Sequence, residues 1–555
     1  MSQATRTSWA LALLGAFFYL PFLGGVHLFD WDEINFAEIA REMIVLDEYF
    51  RPYINYQPFW EKPPLFIWMQ VLAMKLFGVG EYAARFPNAV CGILTLVILY
   101  RMGRRLYDHR FGLIWAITYF GTVLPFLYFK SGIIDPWFNL FIFGGIYLFI
   151  LFHWRKNGSS LELQRHPYLY LFWGGVIIGL GILTKGPVAF LLAALTFGVY
   201  WVYQRFRFYV SVPEFLGFTL SALIVTGAWF GIETLRNGTW FMEQFIRYQA
   251  ELFSSSVAGH KGFPGYHFVV LLIGCFPASI FAIRGLWNSD PADADHQKDF
   301  RRWMIYLMGV VVVLFSIVQS KIVHYSSLAY FPLTFLAAQT ARRLLDKRIP
   351  LNRAMRAGLW SIGGLFMLLI AALPFAGRQA EKLATLFDDP FAQANLEAAV
   401  RWSGWEALPA IVLAIVIFLF IRHHQRERRW EGFLTLYFGT GLFVFLTLVF
   451  FIKRIEGYSQ RAAIEFYEER QGESCYIITH AFKSYAHLFY SRKPPVTNEQ
   501  SYDKEWLLTG PVDRDVYVVS KVHKAGQLDE YPELVEIGRK NGFVFFHRPP
   551  PGADR

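Results

Sequence analysis

Residues 168–203 read YLYLFWGGVIIGLGILTKGPVAFLLAALTFGVYWVY. The runs 168–184 and 187–203 carry no charged residue. Each has the length of about 17 to 25 residues that crosses a hydrocarbon core. Between them TKGP forms a tight turn that carries Lys185. Arg155, Lys156 and Arg165 precede the first run, and Arg205 and Arg207 follow the second. Short loops rich in arginine and lysine stay on the cytoplasmic side. The pair therefore reads as a membrane hairpin whose closed end presents Lys185 on the far side.

The pattern extends outward. Apolar runs near 9–29, 85–103, 111–129, 135–153, 212–232, 264–283, 303–319, 325–341, 355–375, 405–421 and 432–452 bring the expected spans to thirteen. Basic clusters at Arg101/Arg104/Arg105/Arg110, Lys298/Arg301/Arg302, Arg342/Arg343/Lys347/Arg348 and Arg422/Arg426/Arg428/Arg429 fall on one side if the spans alternate. One span more or fewer would scatter them. With 55% hydrophobic and 17% charged residues, the chain departs from soluble composition in the same direction. The net charge of +10 comes from these loop clusters, not from a continuous basic face, so nucleic acid is not an expected partner. Cys91 and Cys275 lie inside apolar runs and Cys475 stands alone, which implies neither a disulfide framework nor a zinc ribbon. The first run, after Arg6, lacks a small-residue cleavage pattern and reads as a retained span.

The expected fold is a polytopic α-helical membrane protein with about thirteen transmembrane helices over 1–452. A small extracytoplasmic α/β domain follows over 453–555. Its strand-like runs are CYIIT (475–479), DVYVVS (515–520) and FVFFH (543–547), with helical patterns between them and no glycine-rich phosphate loop. The first outer loop, 30–84, includes PPLFIWMQVLAMKLFG (63–78), apolar but short, and so expected to lie at the interface as a juxtamembrane helix.

The same loop begins FDWDEINFAEIAREM (29–43). Phe36, Ala37, Ile39, Ala40, Met43 and Ile44 recur at helical spacing, so an amphipathic helix on the membrane surface is expected. Glu38, Arg41 and Glu42 would form its solvated face. Asp32 and Glu33 stand before it, and Asp32 suits a helix cap. Glu61 and Lys62 precede the interfacial segment. Charges at that depth are paired or functional, and a lysine point charge suits a phosphate. Asp135 before Pro136 reads either as a helix cap or as a second acid. Lys321, His324 and Tyr325 lie in QSKIVHYSSLAYFP (319–332), and His260 lies in the loop 233–263. Each has a plain structural reading as a cap, a snorkelling lysine or a belt tyrosine. All nevertheless map to one side of the membrane. A carboxylate there can take a proton from an acceptor, and lysines can hold a departing phosphate. Glu61 and His260 are metal-ligand types, although two ligands do not make a site.

These stretches, DEINFAEIAREM, EKPP at 61–64, the Asp135 turn, LTKG at 183–186 and SKIVHYSSLAYFP at 320–332, resemble the bacterial aminoarabinose transferases and the wider protein O-mannosyltransferase-like family. The likeness runs over about 10–340 in motif order. These are membrane glycosyltransferases of the GT-C fold. The resemblance implies an inverting hexosyl- or pentosyltransferase that uses a polyprenyl-phosphate-linked sugar, such as an undecaprenyl-phosphate sugar, and no nucleotide. It implies a lipid or glycan acceptor, such as lipid A, among the membrane lipids at the outer face of a bacterial inner membrane. It assigns Asp32 and Asp135 as the acidic positions. Glu61 and Lys62 would stand near the donor phosphate and a divalent metal (Zn, Mg or Mn), with His260 as the second ligand. The expected site is thus Asp32, Glu33 and Asp135 for chemistry, Lys62, Lys185, Lys321 and Tyr325 for the phosphate, and Glu61 with His260 for the metal. Asn35 and Phe36 depart from the arginine and tyrosine common in aminoarabinose transferases, which bears on substrate more than on reaction type. Competing readings are a protein or other glycan acceptor, a transporter with membrane acids as a proton relay, and a lipid-binding scaffold. Acids gathered at one surface, with no inverted repeat, favour the enzyme.

Overall fold

Glycines bring the helices of the bundle into close contact. A Cβ on Gly179 would stand 2.6 Å from the Ala222 carbonyl oxygen, and one on Gly145 would stand 2.6 Å from Ile178. Helix backbones approach this closely only through small residues. The helices Asp135–Lys156, Pro167–Lys185 and Val212–Asn237 are joined in this way. Around Trp115, an aromatic core of Phe143, Phe300 and Phe335 packs edge to face. The computed structural model describes residues 1–159, 161, 163–254, 262–287 and 289–552.

Eight described helices are long and apolar enough to cross a membrane, nine if the bent pair Tyr266–Gly274 and Ala278–Trp287 counts as one. Thirteen were expected. The other four runs are helical but short or interrupted: Gln3–Tyr19, His109–Phe120 with Val123–Tyr128, Val188–Tyr203, and Tyr330–Leu345 after the 3-10 turn Val323–Ala329. Interruptions fall where the backbone ladder is broken. Pro277, which has no N–H to donate, sits in the 117° bend of the pair. The interrupted run from His109 still joins the two ends of the bundle. Arg110 pairs with Asp346 among the basic loops, while Lys130 reaches the Phe18 and Tyr19 carbonyls at the opposite end.

That opposite end carries the first loop and the C-terminal domain. The helix Leu65–Phe77 has 13 residues and a length of about 20 Å, too short to span, as its composition implied. A two-residue hairpin, β1 (Tyr53–Ile54) with β2 (Gln57–Pro58), precedes it. The last long helix runs to Gly457, past the expected boundary at 452. Beyond it β3 (Cys475–His480), β4 (Asp515–Lys521), β5 (Val535–Lys540) and β6 (Phe543–Arg548) form a mixed sheet in the order β3-β4-β6-β5. β3 and β4 are parallel and the other pairs antiparallel. The polar, glycine-containing edge strand β5 carried no strand signal in the sequence.

The helix Asp32–Leu46 corrects an expectation. Its polar face is not solvated: Glu38, Arg41 and Glu42 are buried. Arg41 donates two 2.7 Å hydrogen bonds to Glu38, which neutralises that pair. The C-terminal domain closes over this region. Tyr56 donates to the Lys493 carbonyl at 2.5 Å, Lys493 donates to Asn55 at 2.6 Å, and the Tyr490 hydroxyl oxygen accepts the Leu28 N–H at 2.6 Å. Burial, then the adjacent Glu38 carboxylate, pushes Glu42 up to about 9. The folded protein therefore keeps a proton that the unfolded chain releases near 4.5. Stability from this group is present in acid and is lost as pH rises toward 9, with an upper limit of about 1.4 kcal/mol per pH unit. Glu42→Gln should flatten the fall of the melting temperature between pH 5 and pH 9 (roughly the window set by this shift) in detergent. An unchanged slope would show that Glu42 does not hold that proton.

Candidate active site

Arg85, in the helix Glu81–Leu106, is buried and fully engaged. It donates to the carbonyls of Leu23, Val26 and His27 at 2.8 to 2.9 Å and to both Glu33 oxygens at 3.0 and 2.7 Å. Glu33 also accepts the N–H groups of Phe29 and Gly132. Burial opposes its charge, but the Arg85 guanidinium and the two amides hold Glu33 below the usual carboxylate range. Both oxygens of Glu33, expected to serve chemistry, are engaged in these contacts. The Gly132 contact ties the loop to the turn before Asp135, and Asn88 donates to the Ser131 and Ile133 carbonyls of that turn.

Asp32, one residue earlier, points elsewhere. It lies in the first helical turn but caps nothing, and its side chain is 38% exposed. Asp135 opens the helix Asp135–Lys156, likewise without a capping bond. Its Oδ1 accepts from Lys185 Nζ at 2.6 Å, while its buried Oδ2 has no hydrogen-bond partner. His324 Nε2 stands 3.9 Å from Asp32 Oδ2 and 3.9 Å from Asp135 Oδ2. One imidazole thus stands between two carboxylates, just outside hydrogen-bond reach of both. Burial holds His324 below the ordinary histidine range.

Two lysines complete the cluster. Lys185 ends its helix at Gly186, whose φ of +118 is a conformation that favours glycine, and its ammonium lies 5.3 Å from the Tyr325 ring centre. Lys62 lies 4.7 Å over the Tyr248 ring and 3.4 Å from its hydroxyl. Burial lowers the Lys62 pKa; Glu61, Asp32 and Asp135 oppose that and Lys185 adds to it.

The structure thus gathers Asp32, Asp135, Lys62, Lys185, Tyr325 and Glu61. Lys321 is placed apart from them: its ammonium donates to the Phe315, Ser316 and Val318 carbonyls and closes the end of the helix Asp295–Ile317. His260 lies outside the described residues. Among the described residues, the one group of three potential metal ligands is His27, Glu81 and Glu468, not a set around Glu61. Sequence reading did not select His324, Tyr248 or Arg85. His324 was named with Lys321 and Tyr325 at the outer boundary but given no site role, and nothing local distinguished the other two.

The chain as a whole is similar to known proteins in sequence and in fold. The family model described as dolichyl-phosphate-mannose-protein mannosyltransferase matches residues 61–230. The undecaprenyl phosphate-alpha-4-amino-4-deoxy-L-arabinose arabinosyl transferase of Aeromonas hydrophila is 26% identical over 441 residues, covering 77% of this chain and 74% of that protein. The protein of the same description from Pseudomonas aeruginosa is 27% identical over 388 residues, covering 67% and 66%. The crystal structure of ArnT from Cupriavidus metallidurans bound to undecaprenyl phosphate superposes with a TM-score of 0.75 at 19% identity, over 98% of this chain and 97% of that one. The chain is similar in sequence to the aminoarabinose transferases and shares the GT-C fold. The TM-score fixes the GT-C fold across nearly the whole chain, C-terminal domain included.

In this GT-C chain the adjacent acids should separate cleanly. Glu33→Gln leaves the Arg85 guanidinium buried without its counter-charge, a loss of about 3–5 kcal/mol. Its melting temperature should fall markedly, whereas Asp32→Asn should melt like the parent. Equal melting of all three proteins would refute the structural assignment of Glu33.

Proposed function

We propose that the chain moves a sugar from a polyprenyl-phosphate donor to an acceptor at the outer face of a bacterial inner membrane. The sugar and acceptor proposed are a 4-amino-4-deoxy-arabinose unit and lipid A. The observation that carries the reading is the cluster itself: an open carboxylate, Asp32, beside His324 and the buried Asp135–Lys185 pair, with Lys62 in the same field. The expected outward placement of this end, opposite the basic loops, supports the side of the membrane.

The chemistry follows from these groups. The acceptor oxygen attacks the anomeric carbon as the bond from that carbon to the phosphate oxygen breaks, with inversion. The electron pair leaves with the polyprenyl phosphate. Lys62 and Lys185 offset the charge that develops there, in a site that burial makes poor in water. Asp135 keeps Lys185 charged and aimed. A hydroxyl acceptor would pass its proton to Asp32. A phosphate acceptor is already ionised, and Asp32 then orients it. His324 steadies Asp32 from the side of Asp135 and is a positioning residue. Phe36 is buried against Phe66, with ring centres 5.9 Å apart, so this departure from the aminoarabinose transferases faces the protein interior.

Asp32→Asn protein in liposomes should lose single-turnover transfer by about 100-fold or more; transfer at the parental rate would refute the role. Lipid A from cells with and without the protein, compared by mass spectrometry, should differ by a pentosamine. Unchanged lipid A with altered protein glycans would select a protein acceptor instead. Because burial lowers the Lys62 pKa, its charge is lost earlier than an ordinary lysine's as pH rises. The donor KM should rise in the alkaline range, and Lys62→Arg, which stays charged, should abolish that rise. A rise of equal size in the variant would remove Lys62 from phosphate binding.

A further inference from the structure

We propose that His27, Glu81 and Glu468 bind one divalent cation of the zinc type, and that this ion ties the C-terminal domain to the membrane-embedded part of the chain. The three residues come from remote segments. His27 follows the first helix, Glu81 opens the helix Glu81–Leu106, and Glu468 ends the helix Arg461–Glu468. One ligand atom from each lies within 4.8 Å of the others. Two carboxylates brought together from separate elements repel, and a cation between them offsets that cost.

The histidine is set up as a ligand. Its Nδ1 lies 2.8 Å from Glu456 Oε1, and Glu456 is buried and held by Arg461 at 2.6 Å. A carboxylate behind an imidazole makes Nδ1 the donor and leaves the Nε2 lone pair for a metal. Nε2 stands 3.8 Å from Glu468 Oε2, beyond a hydrogen bond. Ligands about 2.0 to 2.2 Å from a tetrahedral zinc lie roughly 3.3 to 3.6 Å apart, so a small closure admits the ion. Three protein ligands leave a fourth position for water. None of these residues belongs to the cluster around Asp32, and the inference does not rest on the reaction proposed above.

The test uses the full chain in detergent, stripped with EDTA and titrated with zinc chloride, with calorimetric stoichiometry and melting temperature as readouts. The parent should bind one more zinc per chain than Glu468→Gln or Glu81→Gln, and zinc should raise its melting temperature by several degrees but not theirs. A zinc site elsewhere would be common to all three proteins and cancel in the difference. The exposed Glu473→Gln is the control and should match the parent. Equal stoichiometry and equal shifts in parent and variants would overturn the proposal. Should a variant fail to fold, zinc X-ray absorption of His260→Ala decides: a shell of one imidazole with oxygen ligands that persists there supports the site, and a shell without imidazole overturns it.

Discussion

The arrangement at the domain-bearing end depends on one buried guanidinium. Arg85 binds three carbonyls of the segment 23–27 and both oxygens of Glu33, and Glu33 in turn takes the Gly132 amide. The end of the first helix, the start of the first loop and the turn before Asp135 are thereby fixed to one another. Asp32 and Asp135 lie within three residues of these anchors, so their relation to His324 follows from the arginine's geometry. Such a charge is tolerated in a buried place because every donor it has is matched. Adjacent acids then divide the work: Glu33 holds the scaffold, and Asp32 stays half-exposed.

Much of this was legible beforehand, and the rest was hidden for definable reasons. The hairpin around Lys185 and three of the four C-terminal strands could be read because periodicity and charge placement are local properties. Lys62, Lys185, Asp32 and Asp135, which the structure brings together, were singled out by side of membrane and by motif. The difference between Asp32 and Glu33 could not be read, because neighbouring helical residues diverge by about 100° and sequence does not say which direction holds Arg85. The burial of Glu38 and Glu42 was hidden too, since it depends on a domain that begins some four hundred residues later. Helix lengths could not be read where glycine, threonine and proline interrupt the apolar runs, as at 121–125 and 277. Lys321 looked like its fellow lysines and is instead a helix terminator.

The C-terminal domain is a lid on the first loop as much as an appendage. Ser484 donates to Asp30 at 2.5 Å, and the Lys483 ammonium lies 5.3 Å from the Trp31 ring centre. These contacts immediately precede Asp32 in the chain. The domain thus has a direct mechanical hold on the backbone that presents the open carboxylate, even though it supplies none of the clustered side chains.

The short helix Leu65–Phe77 has a consequence of its own. Its buried side, Phe66, Ile67 and Val71, packs on the protein, while Leu72, Leu76 and Phe77 are exposed. An apolar flank of this kind settles at the boundary between acyl chains and headgroups. Glu61 and Lys62 come immediately before this helix, so it works as a depth gauge for them. On the proposed reading, Lys62 would then stand at the level where lipid phosphates reside. A long-chain lipid could then present its charged head to the lysine while its tail stays dissolved in the bilayer, and no part of the catalyst would have to lift it out.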